Sequence, residues 1–345
     1  LTHGSGFGTA AHGDGWDYLR RSIAGYSRHP NIAGTLLLGL GCEINQLDGM
    51  VADLGLIPGE MLHTMTIQGE GGTNATVRRG IECIEAMLPA ANNVKRETVP
   101  ASHIILGMEC GGSDAFSGVT ANPALGAAAD LLVRHGGTAI LGETPEIYGA
   151  EHLLIRRAES EAVGRKLLER IAWWEDYTKM NGAVVDNNPS PGNKAGGLTT
   201  ILEKSLGAAA KGGTSNLVAV YRYAETVESK GFVFMDTPGY DPVSITGMVA
   251  GGANVVCFTT GRGSVFGCKP TPSLKLATNS TMFEHMHEDM DINCGRIVDG
   301  EADIEGLGRE IFELILNTAS GAPSKSEAFG FGDEEFVPWQ IGAVL

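Results

Sequence analysis

The chain has 345 residues, of which 49 are glycine, yet no G-X-Y period runs through it and apolar residues reach 43%, which excludes a collagen-like fibre and a flexible linker alike. Lys+Arg 25 against Asp+Glu 41 leaves a net charge of −16. With no basic stripe to offset that charge, nucleic acid and anionic membrane surfaces are excluded as partners. The length predicts two domains at about 150 residues each, and no apolar run approaches the roughly eighteen residues of a membrane helix. Cysteines 42, 83, 110, 257, 268 and 294 are scattered without CxxC spacing, a pattern that predicts reduced thiols and a cytoplasmic protein.

In chain order, Leu1 opens the sequence where a Met would start a complete one, so a fragment is expected. His3-Gly4-Ser5-Gly6-Phe7-Gly8 follows and either presents an imidazole beside free amides or makes a structural turn. Tyr18, Leu19, Ser22, Ile23 and Tyr26 form a helical face over 17–27, and Thr35 to Leu40 reads as a strand before Gly41-Cys42-Glu43. Residues 89–102, with two prolines among polar residues, predict a domain junction near 99. A strand over 103–108 then runs into Glu109-Cys110-Gly111-Gly112-Ser113-Asp114. Asn122-Pro123 opens a capped helix that Gly136 ends. The strand 138–141 leads to Gly142-Glu143, and one long helix is predicted over 150–181. An amide-rich loop, Asn187-Asn188-Pro189-Ser190-Pro191-Gly192-Asn193-Lys194, precedes a helix over 198–210. The last two strands are 232–235 before Asp236-Thr237-Pro238-Gly239, and 254–258 before Thr259-Thr260-Gly261. Strands alternating with helices imply an α/β fold with a parallel sheet, and polar clusters at the carboxyl ends of its strands mark where such sheets bind ligands.

The cluster from Glu109 to Asp114 suits a divalent metal or anion pocket, because its glycines admit a ligand to the backbone and its thiol takes a soft metal. A strand-to-helix turn capped by Ser113 and Asp114 uses the same residues. Asn188, Asn193 and Lys194 suit recognition of a carboxylate at a helix N-terminus, against a rigid Pro-Gly connection. Glu143 and Glu146 offer a metal ligand or general base, or a solvated first turn. Gly261-Arg262-Gly263-Ser264-Val265-Phe266-Gly267 lacks the G-x-G-x-x-G spacing, so a nicotinamide cofactor is not expected. Walker, HExxH and GxSxG patterns are absent.

Taken together, several motifs resemble the altronate and galactarate dehydratase family of sugar-acid dehydratases. They are Glu109 to Asp114 with Ser117-Gly118, Ala121-Asn122-Pro123-Ala124, Asn188 to Asn193, Lys211-Gly212-Gly213-Thr214, Thr237-Pro238-Gly239 and Phe258-Thr259-Thr260-Gly261. The resemblance implies a smaller α/β domain over 1–98, truncated at its start and dimerising, then a Rossmann-like domain over 99–345 with a mostly parallel sheet and helices on both faces. It implies a homodimer that removes water from a sugar acid of altronate or galactarate type, giving a 2-keto-3-deoxy acid. The activity would depend on a divalent metal, commonly Fe2+ with Mn2+ as the alternative. On that footing Cys110 with Glu109 or Asp114 forms the metal neighbourhood, His3 is a ligand or an acid/base, and Glu143 is the second catalytic carboxylate. Lys194, Asn188 and Asn193 hold the substrate carboxylate, and Ser113, Thr259 and Thr260 add substrate contacts. The family's opening motif reads His-Gly-x-Gly-Cys-Gly, and Phe7 replaces its cysteine here. A sister branch, the large subunit of sulfolactate sulfo-lyase, eliminates sulfite and shares these motifs. A sugar-acid-binding protein without turnover is the non-enzymatic alternative.

Overall fold

A computed structural model describes residues 1–185 and 189–342. The smaller region pairs two parallel strands, β1 (Thr35–Gly39) and β2 (Leu62–Thr66), with the helices Asp14–Ser27 and Thr73–Asn92. The larger region contains β3 (Ile105–Cys110), β4 (Thr138–Leu141), β5 (Leu217–Tyr221), β6 (Gly231–Met235), β7 (Val255–Thr260), β8 (Ser273–Ala277) and β9 (Ile292–Asn293). These seven lie in the order β5-β6-β4-β3-β7-β8-β9, and every pair is parallel.

Every residue of β4, β6, β7 and β8 is buried, because helices cover both faces of the sheet. One face packs Leu106, Met108, Leu141 and Phe234 with the helices Ala121–Arg134 and Ile304–Ala319. The other packs Ile140, Val233 and Phe258 with the helix Asp241–Ala250 and with Tyr18 and Tyr26 of the first helix. The smaller region is seated closely there: a Cβ on Gly25 would run into the carbonyl of Ala250, so the two helices approach where only glycine leaves room. Among the described residues no helix is long and apolar enough to cross a membrane.

Three expectations are corrected. The strand expected over 103–108 begins and ends two residues later, which puts Glu109 and Cys110 inside β3, hydrogen-bonded beside β7, rather than in the loop beyond it. The long helix expected over 150–181 is two, Glu151–Ile155 and Glu161–Met180. Between them Ala158 bridges Leu217, and the Ser160 side chain accepts from the Val163 amide to start a new helix. The junction expected from 89 opens inside the helix Thr73–Asn92, which tolerates Pro89 in its last turn.

Chain direction decides where ligands meet this sheet. From β3 the chain moves to β4 on one side and later returns to β7 on the other, so the loops after these strands diverge around the end of β3. Open parallel sheets bind ligands at such a switch point.

His29 ties the end of the first helix to this core. Its Nε2 donates to the Ala253 carbonyl at 2.9 Å, while Nδ1 accepts the Asn31 amide at 3.1 Å. Burial lowers its pKa, and the bond to Ala253 only partly opposes that. The unfolded chain therefore takes up a proton near pH 6.5, where the folded one resists it. The stability that neutral His29 contributes is present above about pH 6.5 and is lost as pH falls through the folded pKa. Denaturant titrations from pH 8 to 5 should give a shallower loss of stability for His29→Gln than for the wild type, and parallel curves would contradict this.

Candidate active site

At the carboxyl end of β3, side chains from four segments converge. β3 contributes Glu109 and Cys110; the turn after β4 contributes Glu143 and Glu146; the helix Ile201–Ala209 and the turn after it contribute Lys204 and Lys211. The Cys110 thiol donates to Glu146 Oε2 at 3.3 Å and to Glu143 Oε1 at 3.6 Å, and the Cys110 amide donates to Glu143 Oε2 at 3.1 Å. Lys211 Nζ is ion-paired with Glu143, and Lys204 Nζ with Glu146. Asp241 overhangs the group: a Cβ on Gly111 would lie 2.5 Å from Asp241 Oδ2, so the first glycine of the double-glycine step is what admits this carboxylate.

Burial is nearly complete. Lys211 and Glu109 have no exposed surface, and Glu143 retains 1%. Desolvation pushes the Glu109 carboxyl well up, helped by Glu143 and Asp241. Glu143 also rises through burial, although Lys211 pulls it down, and Asp241 is pushed up to about 7 by burial with Glu143 and Glu146 nearby. The Cys110 thiol is raised by burial and by Glu143. Burial works against both lysine charges, yet Lys211 is raised by Cys110 and Glu143, and Lys204 by Glu146 and Cys110. The ammonium groups persist because anionic groups surround them.

Thus four carboxyl groups share one site with two lysines. Fully ionised, they leave two negative charges, which a divalent cation would balance. Cys110 Sγ and one oxygen from each of Glu143 and Glu146 lie within 4.8 Å of one another, and among the described residues no other group of His, Cys, Asp or Glu is so arranged. Glu109 Oε1 is buried without a hydrogen-bond partner. A soft thiolate with hard carboxylate oxygens suits a transition metal such as iron, manganese or zinc. The residues present therefore fit a divalent metal.

The other expected residues divide. Asp114 is held on the β7/β8 side of β3, where its Oδ1 accepts from Ser117 and Thr278 and its Oδ2 from Asn279 at 3.0 Å. Ser113 offers its carbonyl to Asn193 Nδ2 at 2.9 Å, and Asn193 also closes a capping box with Ser190, so these two brace the loop. Thr259 donates to Asn122 Oδ1 at 2.6 Å, and Thr260 Oγ1 accepts the Gly263 amide. Lys194 is exposed; the lysines that reach the carboxylates are Lys204 and Lys211. His3 lies apart from the metal-ligand group, on an apolar cavity of about 630 Å³ that Phe7 and Phe336 also line. Asn188 lies outside the described residues.

Two family descriptions match this chain. One, D-galactarate/altronate dehydratase, C-terminal, covers residues 101–344 and so contains the whole cluster; the other, D-galactarate dehydratase/altronate hydrolase, second domain, covers 1–92. The chain belongs to the D-galactarate/altronate dehydratase family. It is 42% identical to galactarate dehydratase (L-threo-forming) of Escherichia coli (strain K12) over 307 residues, 87% of this chain and 59% of that protein. With altronate dehydratase of Bacillus subtilis (strain 168) the identity is 37%, over 98% of this chain and 67% of the relative. The (2R)-sulfolactate sulfo-lyase subunit beta of Chromohalobacter salexigens, a sister branch, is 30% identical over 96% of this chain and 84% of its own length. The chain thus spans about three fifths of the galactarate dehydratase and two thirds of the altronate dehydratase.

Lys204 and Lys211 were legible in part. Lys204 falls on the same helix face as Ser205, Ala208 and Ala209, the buried one, where a charged residue stands only when it has a partner. In this family member Lys211→Met should remove the counter-charge of Glu143 and destabilise the metal-free protein by about 3–5 kcal/mol at pH 8. The loss should shrink at pH 5, where an unpaired Glu143 takes up a proton. Equal losses at both pH values, measured by denaturant titration, would show that Lys211 does not compensate charge.

Proposed function

We propose that this chain carries the metal-dependent catalytic machinery of a sugar-acid hydro-lyase of altronate or galactarate type, whose product is a 2-keto-3-deoxy acid. The carrying observation is the buried set of Cys110, Glu143 and Glu146 beside two lysines, inside the segment that the dehydratase family description covers.

Elimination of water from such an acid removes a proton next to a carboxylate and expels the neighbouring hydroxyl. Negative charge develops on the substrate carboxylate, and the hydroxyl leaves well only when it receives a proton. Cys110, Glu143 and Glu146 would hold the metal, Fe2+ or alternatively Mn2+, which when bound supplies positive charge where the carboxylate becomes electron-rich. Lys211 and Lys204 are ion-paired with Glu143 and Glu146 and supply counter-charge to their carboxylates, which suits these two to be ligands rather than proton carriers. Glu109 and Asp241 have no lysine ion pair among the described residues. They are the groups that move protons: Oε2 of Glu109 accepts from Ser244 at 2.7 Å, so Oε1 is the atom that carries its hydrogen toward the leaving hydroxyl. Asp241, half-buried at the rim, is the base that takes the proton next to the substrate carboxylate. The burial of the cluster excludes water from this exchange.

The same reading makes the protein a cytoplasmic homodimer with a boundary near residue 99. It leaves Thr259 and Thr260 as the substrate side of the crevice, with Ser113 and Asn193 bracing the loop that carries Lys194; Asn188 stays a proposed contact to the substrate carboxylate, and His3 stays apart from the two proton carriers, on the cavity of the smaller region. The sulfo-lyase relative favours one alternative: the same cluster would serve the expulsion of sulfite. An anaerobic screen with Fe2+ or Mn2+ should yield keto acid from altronate or galactarate and no sulfite from sulfolactate. Sulfite release alone would select the alternative, and ligand-induced thermal stabilisation without any product would mark a binding protein.

A further inference from the structure

Glu143 has φ 62° and ψ 60°, and the other non-glycine residue with positive φ among the described ones is Ala224. A side chain in the left-handed region crowds its own backbone and persists only where the surroundings dictate it. Here three hydrogen bonds donated by Glu143 and Thr144 to one dipeptide, Asp236-Thr237, do so. The Glu143 amide donates to Thr237 Oγ1 at 2.6 Å, and the Thr144 amide donates to the Thr237 carbonyl at 2.9 Å. The Thr144 hydroxyl donates to Asp236 Oδ1 at 2.6 Å, and that same oxygen accepts from Trp174 Nε1 at 2.8 Å.

We propose that Asp236 and Thr237, which follow β6, are positioning residues that hold Glu143 in its left-handed conformation and thereby aim its carboxylate at Cys110. The inference rests on the reading of Glu143 as a ligand, and it concerns residues that touch neither metal nor substrate.

Hydrogen-bond direction strengthens it. An amide can only donate, so Thr237 Oγ1 accepts from Glu143 and its own hydrogen must go onward. The oxygen 2.8 Å away is Ser244 Oγ, whose hydrogen goes to Glu109 Oε2. The backbone of Glu143 and the carboxyl of Glu109 are therefore ends of one polarised chain running through Thr237 and Ser244. Behind it, Asp236 has no exposed surface, and its second oxygen lies 3.8 Å from Arg170. Trp174 is stacked on Trp339 with ring centroids 5.2 Å apart, which fixes the indole N–H that orients Asp236. Release of the clamp lets Glu143 relax toward negative φ and swings its carboxylate away from the Cys110 thiol.

The test compares Thr144→Val, which keeps the shape and removes the hydroxyl, with Thr144→Ser, which restores it. Two quantities are read on the full chain: affinity for Co2+, followed by the thiolate-to-cobalt absorption of Cys110, and kcat and KM for whichever sugar acid the wild type dehydrates. Thr144→Val should lower Co2+ affinity and kcat by about 10–100-fold with KM little changed, the range for outer partners of metal ligands. Thr144→Ser should return both to near wild-type values. Trp174→Phe, which keeps the aromatic stack and removes only the N–H, should lower both in the same direction and decides the matter where the valine variant does not fold. Wild-type affinity and kcat in Thr144→Val, or equal losses in the valine and serine variants, overturns the proposal. A wild type without turnover refutes the dehydratase reading while the cobalt comparison still tests the clamp; turnover without the thiolate band overturns Glu143 as ligand and the clamp with it.

Discussion

A lysine ammonium with no exposed surface persists only where negative charge takes the place of water, and Lys211 meets that requirement against Glu143. The rest of the site follows from this pairing. Glu143 must face inward to meet Lys211, and it does so from a backbone conformation that few residues adopt. Once it faces inward it lies beside Cys110 and Glu146, and Glu146 in turn requires Lys204. Two positive charges do not balance four ionised carboxyl groups, and the imbalance is the electrostatic argument for the divalent cation proposed among them. An isolated carboxylate pair at this depth would protonate instead.

The end of β3 therefore separates two kinds of chemistry. On the β4/β6 side are charges: carboxylates, thiol and lysines. On the β7/β8 side are hydroxyls and amides from Thr259, Asn122, Thr278 and Asn279, engaged with one another and with Asp114. A sugar acid has both characters, a carboxylate at one end and a row of hydroxyls along its length. Under the proposed function, the switch point of the sheet would put the surfaces for these two characters on either side of one strand.

Much of this was legible in the sequence, for physical reasons. Strands buried on both faces are continuous apolar runs, so β4, β6 and β7 stood out, and the polar clusters after them located the ligand edge. β5, β8 and β9 did not: β8 carries Lys275 in a fully buried strand, and β9 is two residues long. Glu109, Cys110 and Glu143 drew attention because each lies at or just past the carboxyl end of an apolar strand run. Asp114 and Asn193 matched the same composition, yet their hydrogen bonds are spent on the loops that carry them. Lys204 and Lys211 lie 58 and 68 residues from Glu146 and Glu143, so although Lys204 stands on an apolar helix face and Lys211 in a Gly-rich motif, which carboxylate each meets is set by tertiary packing alone. Asp236 stood in a polar cluster after its strand, but its hydrogen bond to Thr144, in the turn of a neighbouring strand, had no local signal.

The central claim is that Cys110, Glu143 and Glu146 hold a divalent cation beside the two lysines. The most direct measurement is anomalous X-ray diffraction from crystals of the wild-type protein grown anaerobically with Fe2+ or Mn2+. The account predicts one strong peak within bonding distance of Cys110 Sγ and of an oxygen from each of Glu143 and Glu146, with Lys204 and Lys211 still paired at its edge. A peak at other residues, or none at this cluster in protein that turns over, would contradict it.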